Sequence, residues 1–228
     1  MLRDSLRRPW RAPGSVVERV AMLVFWEPRL VFLATPKTGS TAIETALESL
    51  AAVSIMRPPA LKHTPVGRYR RFLAPYLERT AGAPFTVVAL MREPASWLGS
   101  WYRYRQRDDI ADPRKSTRGK SFDDFVTAYL ARPRPAFADV GGQAGFLLGQ
   151  DGRPVDHVFR YEDMAAFVRF LEDRLGHDIA LPRVNVSPEG ETALSPALDR
   201  ALRQACAEEF ELYARVLSGS ATGRAIPG

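Results

Sequence analysis

The sequence predicts an α/β fold in three layers, with helices on both faces of a central, mostly parallel sheet. Three observations carry this. Short apolar runs of strand length alternate with helix-patterned segments along the chain. One of these runs, Phe85–Met91 (FTVVALM), is apolar at every position but Thr86, as a strand covered on both faces must be. The length, 228 residues, suffices for one such domain with a sizeable core.

Residues 1–21 read as a basic appendage: Arg3, Arg7, Arg8 and Arg11 mix with Pro9 and Pro13, without a strand pattern. The first patterned segment begins at Met22, an alternative start of translation. Met22–Trp26 and Leu30–Ala34 are expected to pair as a hairpin around Glu27-Pro28-Arg29. Thr41 to about Ala51 is expected to be helical, with Ile43, Ala46, Leu47 and Leu50 on one face. Val53–Met56 is a short strand, broken by Pro58-Pro59, and Lys62-His63-Thr64-Pro65 reads as loop. Gly67–Arg79 is a basic helix whose apolar face would be Tyr69, Phe72, Leu73 and Tyr76.

After the central strand, Pro94 falls at the first position of a helix continuing through Ala95–Arg105. The polar stretch 108–120 is expected to be a mobile loop. Ser121, with Asp124 three residues on, signals a capped helix start. Residues 132–142 are rich in Pro and Gly, His157–Tyr161 is the last strand, and a helix follows from about Met164 to Leu175. Ser195–Leu217 reads as one long amphipathic helix, and the Gly/Ser-rich tail from residue 218 as flexible. The expected organisation is thus an appendage (1–21), one domain (22–217) and a tail (218–228).

Composition narrows the function. No apolar run reaches the roughly 20 residues of a membrane helix, and the N-terminus has no apolar centre behind its basic residues, so it is not a secretory signal. A single cysteine, Cys206, cannot form a disulfide within the chain, which fits a reducing, cytoplasmic setting. Three scattered histidines, His63, His157 and His177, argue against a zinc site, and no metal is expected. The net charge of +6 points to an anionic substrate or to an ordinary basic surface. No nucleic-acid-binding pattern stands out, and internal repeats are missing from the sequence.

Lysine is scarce, four against 28 arginines, so the lysine in TPKTGST (35–41) is informative. This stretch joins an apolar strand to a helix. Backbone N–H groups at a helix start are unpaired and carry the positive end of the helix dipole, so such a turn holds anions. Gly39 allows close approach, Lys37 adds a charge, and Thr38, Ser40 and Thr41 add hydroxyls. An ordinary capped strand-to-helix connection is the other reading. The second feature is the end of Phe85–Met91 in Arg92-Glu93-Pro94, with Ser100 eight residues after Arg92. A nucleoside-triphosphatase strand here often ends in an Asp that helps hold Mg²⁺. This one ends in a cation, and the pattern GxxxxGK[ST] does not occur. Arg92 paired with Glu93 or another nearby acid is the plainer alternative.

TPKTGST resembles the 5′-phosphosulfate loop of sulfotransferases that use 3′-phosphoadenosine 5′-phosphosulfate (PAPS). Arg92 and Ser100 in MREPASWLGSWYRY resemble that family's 3′-phosphate motif. FRYED (159–163), RVNVS (183–187) and EFELY (209–213) are more loosely similar to carbohydrate-type members. The resemblance implies a P-loop-like sulfotransferase fold and PAPS as donor. It also implies transfer of a sulfuryl group to a hydroxyl or amine of a small-molecule, lipid or carbohydrate acceptor. In that reading Lys37 stabilises the leaving phosphate, residues 38–41 cradle the 5′-phosphate, and Arg92 with Ser100 grips the 3′-phosphate. The family's base is a His or Glu, commonly from the loop after the second strand. His63 occupies such a loop, with Lys62 beside it, and Glu44 is the alternative.

Lesser candidates are Trp97 and Trp101, as core packing or near adenine or acceptor, and Arg68, Arg70 and Arg71, as a solvated face or an anionic-acceptor site. Loop 108–120, with Arg114, Lys115, Arg118 and Lys120, is a candidate closing element, and Asn185 and Ser187 are candidate nucleotide contacts by family analogy. His157 is expected to be structural and Cys206 non-catalytic. The competing functions are a catalytically inactive protein binding PAPS or adenosine 3′,5′-bisphosphate, and a metal-dependent P-loop phosphotransferase.

Overall fold

A computed structural model describes residues 22–182 and 192–216. The expected appendage, the tail from 218, and Asn185 and Ser187 with their RVNVS segment lie outside these residues.

The described residues form an α/β unit around a five-stranded sheet in the order β3-β1-β2-β4-β5. β1 (Met22–Phe25) and β2 (Leu30–Leu33) are the expected antiparallel hairpin, with Phe25 opposite Leu30. β3 (Val53–Ile55) pairs antiparallel with β1 at the edge, while β4 (Thr86–Met91) runs parallel to both β2 and β5 (His157–Arg160). The sheet is therefore mixed by pairing. Four strands point one way and β1 alone opposes them, because the short Glu27-Pro28-Arg29 connection can only return the chain antiparallel.

Side-chain alternation along the strands divides the core in two. Met22, Val24, Val31, Leu33, Val87, Ala89, Met91 and Val158 face one layer. Leu23, Phe25, Leu30, Phe32, Val88, Leu90 and Phe159 face the other. Over the second face lie α1 (Ser40–Leu47), extended by a 3₁₀ turn over Glu48–Leu50, and α8 (Met164–Leu175), through Ile43, Leu47, Phe167 and Leu171. The first face receives the segment after β3. It begins with α2 (Pro59–Lys62), a short helix where sequence reading expected loop, and α3 (Val66–Arg68).

A π turn over Tyr69–Leu73 then leads into α4 (Ala74–Ala81). That turn overturns the expected apolar face. A regular helix would bury Tyr69, Phe72, Leu73 and Tyr76. The wider turn shifts the register, so the buried set is Val66, Tyr69, Ala74 and Leu77, and Phe72 and Tyr76 face outward.

A third core lies beside the sheet. It joins α5 (Pro94–Tyr104) and α6 (Phe122–Leu130) through Trp97, Leu98, Tyr102, Phe125 and Val126. Ser121 and Asp124 close the expected capping box on α6. Loop 108–120 is tied to α5: Thr117, wholly buried, donates to the Tyr102 carbonyl, and the Tyr102 hydroxyl donates to that of Lys120. The short α7 (Ala144–Leu147), unforeseen in the sequence, returns to the first face.

The expected long C-terminal helix is two helices, α9 (Pro196–Ala205) and α10 (Ala207–Arg215), parted at Cys206, whose φ of −117° and ψ of 33° leave the helical region. The break lets Leu202 pack in the third core while Leu212 and Val216 reach the first. Among the described residues no helix is long and apolar enough to cross a membrane.

Candidate functional site

The chain leaves β2 toward the outer strand β3 and leaves β4 toward β5, so the connections diverge between two adjacent parallel strands. In open α/β sheets a crevice forms at the carboxyl ends of strands where the connections part in this way, and ligands bind there. Here those two strand ends carry TPKTGST and Arg92.

Residues 34–39 turn tightly before α1. Lys37 and Gly39 both have positive φ, 65° and 72°. For Lys37 this is an uncommon conformation that the surroundings must hold. For Gly39 it is accessible, and space matters too: a Cβ there would lie 3.0 Å from Cε2 of Tyr161. Gly39 is the N-cap of α1 and makes no side-chain cap, so the cap offers no acceptor to the first N–H groups of the helix. Thr38 is wholly buried and donates its hydroxyl to the Thr35 carbonyl at 2.9 Å, so it braces the turn. Ser40 is also buried. From α5, the Trp97 indole N–H donates to the Pro36 carbonyl at 2.9 Å. Trp97 is thus core and brace together.

The Lys37 ammonium lies 3.6 Å from the centre of the Tyr104 ring and 5.3 Å from that of Trp101. An ammonium held on aromatic faces gains electrostatically from the ring quadrupole. α5 therefore sets the direction of the loop's charge as well as bracing its backbone.

His63 joins this end of the site. Its Nδ1 lies 2.7 Å from the Ala34 carbonyl oxygen. A carbonyl only accepts, so Nδ1 carries the proton and, in the neutral ring, Nε2 carries the lone pair. Contact between His63 and the end of β2 spans 29 positions in sequence. Lys62 is buried beside it. Glu44 is wholly buried in the second turn of α1, beyond the first turn where it would meet the helix dipole.

Arg92 is held by three residues, Ser96, Tyr161 and Gln143. Its Nε donates to Ser96 Oγ at 2.9 Å, one helical turn on, and its guanidinium lies 4.6 Å from the Tyr161 ring centre. Its backbone N–H donates to the Gln143 side chain at 2.9 Å, and the Gln143 amide donates back to its carbonyl at 2.8 Å. Glu209 accepts from the backbone N–H groups of Gln143 (3.2 Å) and Ala144 (3.0 Å), and so fixes the start of α7. Burial pushes the Arg92 guanidinium below its ordinary value, Tyr161 raises it, and the nearby charge of Arg103 lowers it again. Ser100 is buried two turns along α5, so the hydroxyl touching the guanidinium is that of Ser96.

Of the loosely similar segments, FRYED and EFELY meet at this end. The ring of Tyr161 of FRYED lies beside Gly39, filling the space a Cβ would need, and beside the Arg92 guanidinium, so it stands between the two strand ends. Glu162 accepts from the Glu93 backbone N–H and from the Tyr213 hydroxyl, both at 2.9 Å, while Asp163 caps α8. Burial, with the Glu162 hydrogen bond second, pushes Tyr213 up to about 12. Glu209 and Tyr213 are the EFELY residues. Tyr161, Gln143, Ser96 and Glu209 were not singled out from sequence. Tyr161 and Glu209 carried a signal there only as members of FRYED and EFELY, while Gln143 and Ser96 carried none.

Of the lesser candidates, Arg70 is held by the carbonyls of Arg153 and Pro154, while Arg68 and Arg71 are exposed. His157 packs its ring 5.2 Å from that of Phe170, and burial raises the Cys206 thiol. Comparison of the chain with family models, curated proteins and solved structures finds no match.

Proposed function

We propose that this chain is a PAPS-dependent sulfotransferase with a P-loop-like sulfotransferase fold. One observation carries the reading: an anion turn bearing Lys37 and a half-buried arginine, Arg92, end adjacent parallel strands at the point where their connections diverge, and the Tyr161 ring lies beside both Gly39 and the Arg92 guanidinium. Two cationic ends bridged by an aromatic ring fit a nucleotide phosphorylated at both its 5′ and 3′ positions. The uncapped α1 terminus suits the 5′-phosphosulfate, and Arg92 with Ser96 and Ser100 suits the 3′-phosphate.

The donor supplies an activated sulfuryl group. The chain's residues position it and stabilise charge. His63, oriented by the Ala34 carbonyl, takes the acceptor proton on Nε2 as the acceptor oxygen bonds to sulfur. The bond from sulfur to the 5′-phosphate oxygen breaks with its electron pair leaving on that oxygen, where Lys37 and the N–H groups of residues 38–41 meet the charge. Glu44, wholly buried, is the less suited base.

The test is transfer of labelled sulfate from PAPS to a panel of hydroxyl and amine acceptors, with Lys37→Ala and His63→Ala alongside. Transfer by wild type and its loss in both variants is the expected result. A second reading, a nucleotide-binding protein without turnover, is favoured by the docking of Lys37 on Tyr104 and Trp101. Tight binding of adenosine 3′,5′-bisphosphate with neither transfer nor slow PAPS hydrolysis would establish it. Stabilisation by ATP and Mg²⁺ exceeding that by the bisphosphate would instead favour a phosphotransferase.

A further inference from the structure

Charge and exposed apolar surface coincide in one stretch of this chain. Residues 49–84 carry six cations, Arg57, Lys62, Arg68, Arg70, Arg71 and Arg79, and one acid, Glu78. Elsewhere from residue 22 onward, 21 cations meet 23 acids. The exposed large apolar side chains among the described residues, Leu50, Val53, Leu61, Phe72 and Tyr76, all fall in the same stretch. Tyr76 and Phe72 are the extremes, 74% and 64% exposed.

The π turn explains the arrangement. By shifting the register it buries Ala74 and Leu77 against the sheet and leaves Arg68, Phe72, Tyr76 and Arg79 at helical spacing on the outer face. The Arg71 guanidinium lies 5.1 Å from the Phe72 ring centre. Among the described residues no ion pair engages Arg68, Arg71 or Arg79. Leu61 is exposed two residues before His63.

We infer that this face, Leu61 and Arg68 through Arg79, docks on an anionic lipid bilayer. Aromatic rings flanked by arginines match the headgroup boundary: the rings enter it and the guanidinium groups meet lipid phosphates. A second copy of the chain would bring like charges together. The chain's own ends do not complement the face either, since residues 1–21 hold five cations against two acids and residues 217–228 hold Arg224 and no acid. An acidic protein would answer the arginines but leave the two rings without an apolar partner. Docking here is independent of the transfer reading, although it sets the stretch carrying His63 at the lipid surface.

The experiment is co-sedimentation of the full chain with vesicles of phosphatidylcholine alone and of phosphatidylcholine and phosphatidylglycerol in equal parts. Binding is expected to the anionic vesicles, to weaken with salt, and to be slight with phosphatidylcholine. The double variant Arg68→Gln/Arg71→Gln should lose about tenfold or more in affinity, and Phe72→Ser/Tyr76→Ser about tenfold or more. Phe72→Trp should retain binding, with its added fluorescence quenched by brominated lipid. Equal affinity for the two vesicle types, wild-type affinity in the arginine variant, or an unquenched Phe72→Trp in sedimented protein would overturn the inference. So would retention on heparin without vesicle binding, which assigns the face to acidic polymers. Unchanged affinity for adenosine 3′,5′-bisphosphate in the face variants keeps the result separate from the nucleotide site.

Discussion

The two strand ends that face each other across this site are built by different means. At the β2 end, seven consecutive residues make nearly everything: the turn, its charge and the helix terminus. At the β4 end, Arg92 depends on Gln143, 51 positions away, which depends on Glu209, 66 further on. Tyr161 and Glu162 come from a third place in the chain. The first end is contiguous in sequence, with α5 bracing its backbone and holding its charge. The second is a tertiary assembly that exists only once β4, β5, α7 and α10 are in place. A strand end of the first kind is expected to be sensitive to single-residue geometry, and one of the second kind to the loss of distant partners.

The largest effect expected on this contrast is at Lys37. Lys37→Ala should reduce sulfate transfer by about 10²–10³-fold, as loss of a group that stabilises the leaving charge does. Affinity for adenosine 3′,5′-bisphosphate, by calorimetry, should change far less, because the backbone of the turn survives. Next is Gly39→Val, which places a branched side chain at φ 72° against Tyr161. It should lower stability by about 1–3 kcal/mol in urea melts and weaken bisphosphate binding. A tolerated Gly39→Val would break the claim that geometry rules the local end.

At the other end, Arg92→Lys should weaken the bisphosphate by about tenfold, since a point charge replaces a planar fork. Binding of adenosine 5′-phosphate should be unaffected, and equal losses for both nucleotides would merge the two ends into one. The smallest effect concerns Glu209, whose carboxyl burial holds above the ordinary range despite the hydrogen bonds from Ala144 and Gln143. The folded chain therefore keeps this proton more tightly than the unfolded chain. That contribution is complete below the ordinary carboxylate value of about 4.3 and is lost as pH rises through the raised one. The stability of wild type relative to Glu209→Gln, from urea melts at several pH values, should accordingly fall with rising pH across that window.

The contrast also explains what could be read from sequence. TPKTGST was legible because its chemistry is contiguous, and the hairpin, the central strand, α8 and the Ser121 cap were legible for the same reason. Arg92 was legible as a strand end with Ser100 two turns beyond it, but the hydroxyl of Ser96, which accepts from the Arg92 guanidinium one turn on, was not. Gln143, Glu209 and Tyr161 act across the fold; FRYED and EFELY marked the last two as segments, but nothing adjacent to any of the three announces which group it meets. The π turn escaped because a 3.6-residue period was assumed throughout Gly67–Arg79. The break at Cys206 escaped because both halves of 195–217 keep helical patterning and only the demands of two separate cores part them.

The docking of Lys37 on Trp101 has an optical consequence. The chain has four tryptophans, and two of them, Trp97 and Trp101, contact this one turn, through Pro36 and Lys37. A cation beside an indole shifts its emission. A ligand that draws the ammonium off the ring therefore changes the colour of the protein's own fluorescence. The molecule carries a built-in, label-free gauge of what occupies this turn, and Trp101→Phe is the control that should silence it.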